Sequence, residues 1–139
     1  MGLRVYTGGT FDLFHAGHAR FLARCHQLGK VTVALNTDDF VEAYKGKRPV
    51  MSYEERAEVL RSCRYVSNVI ANYDGADSTT AIEIVQPDLI VVGSDWAVRD
   101  YYRQMNFTQE WLDQRGIGLC YIPYTAGISS TDIKARLVR

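Results

Sequence analysis

Two histidines, His15 and His18, lie three residues apart at the predicted start of the first helix. That spacing brings both imidazoles to the same side of a helical turn. Each can donate a hydrogen bond to a phosphate oxygen, and together they would stabilise the charge that builds up on phosphorus in a transition state. A solvated helix end with two ordinary histidines also fits the pattern. A metal site is less well supported, because no cysteine or glutamate is placed to complete a zinc set.

The residues around these histidines have other properties of a phosphate site. Gly8 and Gly9 allow the backbone to come close to a ligand, and Gly17 keeps the first helical turn open. The helix N-terminus itself offers free N–H groups and the positive end of a dipole. The segment is neither a Walker A loop, since it has no Gly-Lys-Ser/Thr ending, nor the dinucleotide motif G-x-G-x-x-G.

A basic loop follows later in the chain, with Lys45, Lys47 and Arg48 around a glycine and before a proline. Near a phosphate site these side chains would clamp an anionic substrate; elsewhere they would simply be solvated. Arg56 and Arg64 are candidates for the same task, or else surface ion-pair partners. The sequence alone leaves both interpretations open.

Hydroxyl groups precede the last predicted helix, at Ser129, Ser130 and Thr131. They suit either a second phosphate contact or simple helix capping. Asp95 follows a buried strand and would hold Mg²⁺, a base or a ribose, or only form a turn. No Ser–His–Asp or Cys–His arrangement stands out, so we expect no covalent nucleophile and a direct transfer in which the substrate's own phosphate attacks.

Strand and helix patterns alternate along the whole chain. Apolar β-rich runs predict strands at 3–7, 31–35, 65–70, 89–92 and 119–122. Predicted helices cover 16–28, a short stretch after Thr37, the residues behind a Ser52/Glu55 capping box, 77–85, 107–115 and a last segment that begins at Ser129 with Asp132 as capping partner. Residues 96–105 are predicted to be a loop. The pattern predicts one α/β domain over 1–139: a doubly wound, mostly parallel five-stranded sheet with helices on both faces.

The composition excludes several classes of partner. Sixteen basic and sixteen acidic side chains balance, so no strong field draws the chain to nucleic acid or to a membrane surface. We see neither a signal peptide nor an apolar run that could span a bilayer, and expect a cytoplasmic protein. Cys25, Cys63 and Cys120 are far apart without C-x-x-C spacing, which predicts reduced thiols.

Taken together, five segments resemble the cytidylyltransferase family, and within it the enzymes that act on glycerol 3-phosphate. Residues 9–18 resemble its G-T-F-D-x-x-H-x-G-H signature, 52–56 its S-Y-E-x-R segment and 64–66 its R-Y-V. Residues 93–96 are similar to G-D-D-W, and 125–131 to T-E-G-I-S-T-T. The resemblance implies a Rossmann-like fold, a homodimer, Mg²⁺, and transfer of CMP from CTP to a small phosphate monoester, glycerol 3-phosphate being favoured.

The resemblance also implies roles by position. His15, His18 and Lys45 would be catalytic. Lys45, Lys47, Arg56 and Arg64 would bind the acceptor. Nucleotide-binding residues would be Gly9, Thr10, Phe11, Asp12, His15, His18, Asp95, Tyr124, Thr125, Ile128, Ser129, Ser130 and Thr131.

Some positions depart from the family pattern. Tyr124 stands where the family has an arginine, Ala126 replaces a glutamate, and Ser94 replaces the first aspartate of G-D-D-W. A tyrosine can stack on a base but cannot neutralise phosphate. An adenylyltransferase that uses ATP on a phosphorylated acceptor is therefore an alternative, and a non-catalytic nucleotide-binding module is a second. The aromatic stretch 101–105 would shape a different acceptor pocket.

Overall fold

The computed structural model describes residues 2–73, 78–94, 105–125 and 127–138. Within these residues strands and helices alternate, as the sequence pattern predicts. The strands are β1 (Leu3–Gly9), β2 (Gly29–Asn36), β3 (Asn68–Asn72), β4 (Leu89–Gly93) and β5 (Gly118–Ile122). The helices are α1 (Ala16–Leu28), α2 (Asp38–Lys45), α3 (Tyr53–Ser62), α4 (Thr79–Val85), α5 (Gln109–Gln114) and α6 (Ser130–Leu137).

The five strands form one sheet in the order β3-β2-β1-β4-β5, and each of the four described pairs is parallel. The chain builds outward from β1 to β3, then returns to place β4 on the other side of β1. The strand order therefore reverses between β1 and β4, and a crevice opens there at the carboxyl ends of the strands. The predicted doubly wound parallel sheet is confirmed.

Apolar side chains cover both faces of this sheet. On β2, Val31, Val33 and Leu35 belong to one cluster with residues of α1 and α3. Ala34 points the other way and packs in a second cluster with residues of α4 and α5. This alternation of buried residues confirms helices on both faces, because a strand buried on both sides needs a helix layer against each.

The element boundaries differ from the predicted ones mainly at strands. Helix α1 spans 16–28 as predicted, whereas β1 continues through Gly8 and Gly9, and β2 begins at Gly29 and continues to Asn36. Strand β3 begins at Asn68 and not at 65, because Val66 N–H donates to Cys63 in a turn and Ser67 N–H is the first to reach β2, at Val31. Residues 96–104 and Asp77 lie outside the described residues.

The helices of the described ranges are short relative to a bilayer. None of them combines the length and the apolar character that crossing a membrane requires.

Candidate active site

A cavity of about 540 Å³ lies at the carboxyl ends of the strands, over the reversal in strand order. It brings together most of the residues that the sequence singles out. Of the predicted site residues it is lined by Gly9, Thr10, Phe11, Asp12, His15, His18, Lys45, Lys47, Tyr124, Thr125, Ile128, Ser129, Ser130 and Thr131. Asp95 lies outside the described residues.

The two histidines are held by the first turn of α1. His15 is the N-cap residue, and its Nδ1 accepts the Gly17 N–H at 3.1 Å. His18 Nδ1 in turn accepts the His15 N–H at 3.3 Å. An imidazole whose Nδ1 accepts a hydrogen bond carries its proton on Nε2. Both rings, stacked with centroids 3.8 Å apart, therefore keep Nε2–H as a donor.

The same surroundings keep the two rings neutral. The pKa of His18 is lowered from 6.5 to about 4, mainly by burial and then by the charge that His15 would carry, while the Asp12 carboxylate opposes this shift. Burial also lowers the pKa of His15, with Arg136 acting in the same direction. At neutral pH the pair is thus a set of two uncharged N–H donors. Neutral donors can bind an anion without the cost of removing water from a charged imidazolium.

Gly17 is required for this arrangement. A Cβ on it would lie 2.9 Å from Cε1 of the His15 ring, closer than carbon atoms pack. The sequence motif therefore includes a glycine because the N-cap imidazole folds back over the first helical turn.

The loop between β1 and α1 is tied down by Asp12. Phe11 and Leu13 on either side of it have left-handed backbones, with φ of 51° and 52°, which costs energy for residues that carry a side chain. The buried Asp12 carboxylate accepts the N–H groups of Val50 at 2.8 Å and Met51 at 3.0 Å. Asp12 therefore fixes the histidine loop to the segment that follows the basic loop.

Asp12 also joins this loop to the last helix. Its main-chain oxygen accepts a hydrogen bond from Ser130 Oγ at 2.6 Å. Ser129 caps α6 and accepts the Asp132 N–H at 3.1 Å, as predicted. The N-termini of α1 and α6 therefore meet at one end of the cavity, and two positive helix ends face the same space.

Lys134 is a cavity residue that the sequence analysis missed. It lines the same end of the cavity as Ser130 and Thr131. The signal was present, because a residue four positions after Ser130 lies on the same face of a helix. This lysine adds a cation beside the two helix ends.

The basic loop contributes two cations to the other end. Lys45 and Lys47 are exposed and line the cavity, and within the described ranges neither has a carboxylate at ion-pair distance. Arg48 differs, because it pairs with Asp39 at 3.0 Å and Glu42 at 3.4 Å. The two lysines are thus the members of the cluster that are available to an anionic substrate.

Arg56 does not occupy the place that the resemblance implies for an acceptor ligand. Its side chain is 0% exposed and forms an ion pair of 2.7 Å with Asp38. It also donates to the main-chain oxygens of Met51, Thr10 and Asn36 at 2.8 to 3.1 Å. With its donors used in this way, Arg56 holds three site segments together and does not contact the cavity.

Arg64 also lies away from the cavity. It is exposed, its guanidinium lies 5.0 Å from the centre of the Tyr65 ring, and it donates to the Tyr65 hydroxyl at 2.8 Å. Helix α3 begins near the site and runs back along the sheet, so residues beyond its end reach the amino-terminal edge of β3. The sequence motif alone does not indicate the direction in which α3 runs.

Tyr124 lies across the end of β4. A Cβ on Gly93 would overlap the Tyr124 ring, so the absence of a side chain at Gly93 makes room for that ring. Phe21 packs against Tyr124 with ring centroids 6.0 Å apart. Tyr124 remains 55% exposed, and it presents a flat aromatic surface at the end of the cavity where the two helix N-termini meet.

The opposite end of the cavity is lined by residues that the sequence did not single out. Phe40 and Tyr44 of α2 stack with centroids 5.6 Å apart and line one wall. Asn36, Asn72 and Met105 line the floor. The only sequence signal for the asparagines is a polar residue at the end of an apolar strand.

The described residues do not offer a metal site made by the protein alone. No group of three His, Cys, Asp or Glu side chains lies close enough together within them. Both Asp12 carboxylate oxygens accept main-chain N–H groups, which leaves that carboxylate poorly suited to a cation.

Comparisons with known proteins agree with this geometry. The cytidylyltransferase-like family model matches residues 6–136. Glycerol-3-phosphate cytidylyltransferase of Bacillus subtilis is 36% identical over 135 residues, which are 96% of this chain and 96% of that protein.

Other relatives match a shorter region or the fold. FAD synthase of Pyrococcus horikoshii is 40% identical over 94 residues, which are 67% of this chain but only 64% of that protein's length. The solved structure of a lipopolysaccharide core biosynthesis protein from Thermoplasma volcanium has a TM-score of 0.71 at 25% identity, covering 89% of this chain and all of that one. The family model spans nearly the whole chain, and the chain belongs to the cytidylyltransferase-like family.

Proposed function

We propose that this protein transfers a cytidylyl group from CTP to a small phosphate monoester and releases pyrophosphate. The observation that carries the proposal is the pair of neutral imidazoles, His15 and His18, whose Nε2–H groups are left free by the bonds to their Nδ1 atoms. They lie at a helix N-terminus within the cavity. Phosphate oxygens are the ligands that such donors and such a helix end favour.

In the proposed reaction an oxygen of the acceptor phosphate attacks the α-phosphorus of the nucleotide in line. A new P–O bond forms, the bond to the bridging oxygen of the β-phosphate breaks, and pyrophosphate leaves. The histidine donors stabilise charge on the α-phosphate oxygens in the transition state. Ser129, Ser130 and Lys134 would hold the leaving phosphates, and no side chain needs to become covalently attached.

Lys45 and Lys47 would hold the acceptor phosphate and bring it close to the nucleotide. Holding two anions together is most of the catalytic task in such transfers. Glycerol 3-phosphate is the first acceptor to test, because a relative named for that substrate matches almost the full chain. A homodimer, which the family resemblance implies, and a cytoplasmic location, which we expect from the sequence pattern, are part of the proposal.

Mg²⁺ would supply charge neutralisation for the triphosphate. Because the described residues form no protein metal site, we expect the ion to arrive with the nucleotide. None of the roles assigned to protein residues depends on it.

Adenylyl transfer from ATP is a second candidate, favoured by Tyr124. Where the family pattern has an arginine, this chain has the half-exposed ring of Tyr124, which offers a surface for stacking in place of a positive charge. A larger purine base gains more from stacking than a pyrimidine. A relative named FAD synthase matches two-thirds of the chain, which is consistent with a different nucleotide and acceptor in the same framework.

Pyrophosphate release from CTP and from ATP, each with a panel of phosphorylated acceptors, tests the proposal. Faster release from CTP supports it, and a clear preference for ATP favours the second candidate. Tight CTP binding with no pyrophosphate from any acceptor would instead indicate a non-catalytic nucleotide-binding module. His18→Ala should lower kcat about a hundredfold or more without unfolding the chain, and a near-normal rate would refute the mechanism.

A further inference from the structure

Three polar side chains form a chain of hydrogen bonds across the carboxyl ends of three neighbouring strands. Asn72 ends β3, Asn36 ends β2 and Thr10 follows the end of β1. Asn72 Nδ2 donates to Asn36 Oδ1 at 3.1 Å, and Asn36 Nδ2 donates to Thr10 Oγ1 at 3.1 Å. All three residues line the cavity. The hydrogen bonds therefore run in one direction, toward Thr10.

The main chain beneath these side chains is fixed as well. A single nitrogen of the buried Arg56, Nη1, donates to the main-chain oxygens of Thr10 at 2.8 Å and of Asn36 at 3.0 Å. The main-chain oxygen of Asn72 accepts the Thr37 N–H at 3.2 Å. Because Thr10 and Asn36 share one buried donor, their side chains are held at a constant separation.

The direction of these hydrogen bonds determines the task left to the Thr10 hydroxyl. A hydroxyl group can both accept and donate. Within the described ranges Thr10 Oγ1 accepts from Asn36 and donates to no protein group. The amide protons of Asn36 repel the hydroxyl proton, so that proton turns away from Asn36 and is available to a ligand in the cavity. Hydrogen bonds arranged in series polarise one another, which strengthens the last donor.

We infer that Asn36 is a positioning residue which, supported by Asn72, holds the Thr10 hydroxyl as a donor to the phosphate group of the acceptor. The inference rests on the proposed function and adds to it the group that orients the acceptor. Asn36 reaches Thr10 from the β2 side of the sheet, and β2 leads into α2, which ends at Lys45. The Thr10 hydroxyl therefore faces the part of the cavity to which we assign the acceptor phosphate.

The lysines and the hydroxyl have different tasks in this arrangement. Lys45 and Lys47 are exposed, and an ammonium group on a flexible stem attracts a phosphate without fixing its orientation. The Thr10 side chain is short and is held by Asn36. A donor at a fixed place favours the one orientation of the phosphate from which an oxygen can attack in line. Loss of this donor should affect the acceptor much more than the nucleotide.

Asn36→Asp tests the direction of the hydrogen bonds. Aspartate has nearly the shape of asparagine and still accepts from Asn72, but its second oxygen can only accept, so the Thr10 hydroxyl would turn its proton toward it. With CTP and sn-glycerol 3-phosphate, or with the pair that turns over fastest in the acceptor panel, kcat/KM for the acceptor should fall roughly tenfold to a hundredfold. The nucleotide KM should change much less.

Asn36→Ala separates this role from a structural one. Alanine removes both side-chain hydrogen bonds but leaves the Thr10 hydroxyl free to donate to the phosphate. It should therefore reduce activity less than Asn36→Asp. A purely structural role predicts the opposite order, because alanine is the more disruptive replacement.

A double-mutant cycle with Thr10→Val separates the misdirected hydroxyl from the new negative charge. Valine has the shape of threonine without the hydroxyl, and Thr10→Val should itself lower kcat/KM for the acceptor roughly tenfold to a hundredfold. In that background Asn36→Asp should cost less than about threefold, because no hydroxyl remains to be misdirected. Asn68→Asp is the matched control at an exposed asparagine of β3, and urea unfolding checks that each variant is folded.

The outcomes separate the positioning role from the proposed function. An equal fall for Asn36→Asp in the two backgrounds indicates charge repulsion alone and overturns the positioning role. A larger loss for Asn36→Ala than for Asn36→Asp also overturns it, and both results leave nucleotidyl transfer intact. Absence of pyrophosphate release by the wild type with CTP and with ATP for every acceptor overturns the proposed function, and the positioning role with it.

Discussion

Acidification should destabilise this protein through the same histidine geometry that we assign to phosphate binding. The half-buried His18 ring stacks on His15 and its Nδ1 accepts a main-chain N–H, so the folded state resists protonation of the ring. In the unfolded chain nothing prevents it. The expected perturbation is therefore a fall in the free energy of unfolding as pH drops below the ordinary histidine pKa.

The size of the effect follows from the pKa difference. The folded pKa of His18 is about 4, against 6.5 for an unperturbed histidine. Stability is fully present above pH 6.5, and it decreases below that pH because the unfolded state binds a proton that the folded state does not. The loss is about 2.5 kcal/mol at pH 4.5, with a limit of about 3 kcal/mol below pH 4. His15, whose pKa is also lowered, acts in the same direction.

Urea unfolding of the wild type and of His18→Asn, measured between pH 8 and pH 4.5, checks this value. Asparagine can still accept the His15 N–H through its side-chain oxygen but does not titrate, so the variant should lose most of the pH dependence assigned to His18. His26→Asn makes the same replacement at an exposed histidine near the other end of α1. Identical pH dependence in the wild type and His18→Asn would refute the assignment of a neutral, half-buried imidazole.

Three further predictions follow from single contacts. Arg56→Met should lower the free energy of unfolding by about 3–5 kcal/mol, measured with urea, because it leaves Asp38 without its buried partner. Gly93→Ala should push the Tyr124 ring outward, with little change in Tm because that ring is exposed, and raise KM for the nucleotide several-fold in initial-rate assays. Lys134→Met should raise the nucleotide KM about tenfold with unchanged stability, since it removes one cation from the end of the cavity that would bind the triphosphate.

Each of these predictions has a matched comparison. Arg61→Met changes an exposed arginine on the same helix as Arg56 and should leave stability nearly unchanged. Lys30→Met, at an exposed lysine on β2, should leave the nucleotide KM as in the wild type. Equal stability losses for the two arginine variants, or equal KM values for the two lysine variants, would contradict the corresponding roles. An unchanged nucleotide KM in Gly93→Ala would remove Tyr124 from the nucleotide site.

Helix starts were the features that the sequence predicted best. The His15 turn, the Ser52/Glu55 capping box and the Ser129 cap are all present in the structure. The reason is physical, because a cap is a bond between residues two or three positions apart and its partners are visible in one short segment. The end of the cavity to which we assign phosphate binding consists mainly of such starts.

The roles of the arginines could not be predicted in the same way. Whether Arg56 is a ligand or a buried support depends on four partners, three of them distant in sequence, and no local pattern reports burial. Arg64 differs again, since its distance from the cavity follows from the direction in which α3 runs. Both residues match the family motif, yet a matching residue type carries no information about where its donors point.

The two ends of the cavity are therefore encoded differently, and this has a functional consequence. The end to which we assign the nucleotide depends on short motifs at helix N-termini, where a substitution breaks a cap and the site together. The other end depends on side chains at strand ends, such as Asn36 and Asn72, which belong to no motif and can be exchanged while the sheet stays intact. Members of one family can keep the same transfer chemistry and change the acceptor by a few such residues. Under the proposed function we therefore expect residues at the strand ends, more than the histidine motif, to determine which acceptor is used.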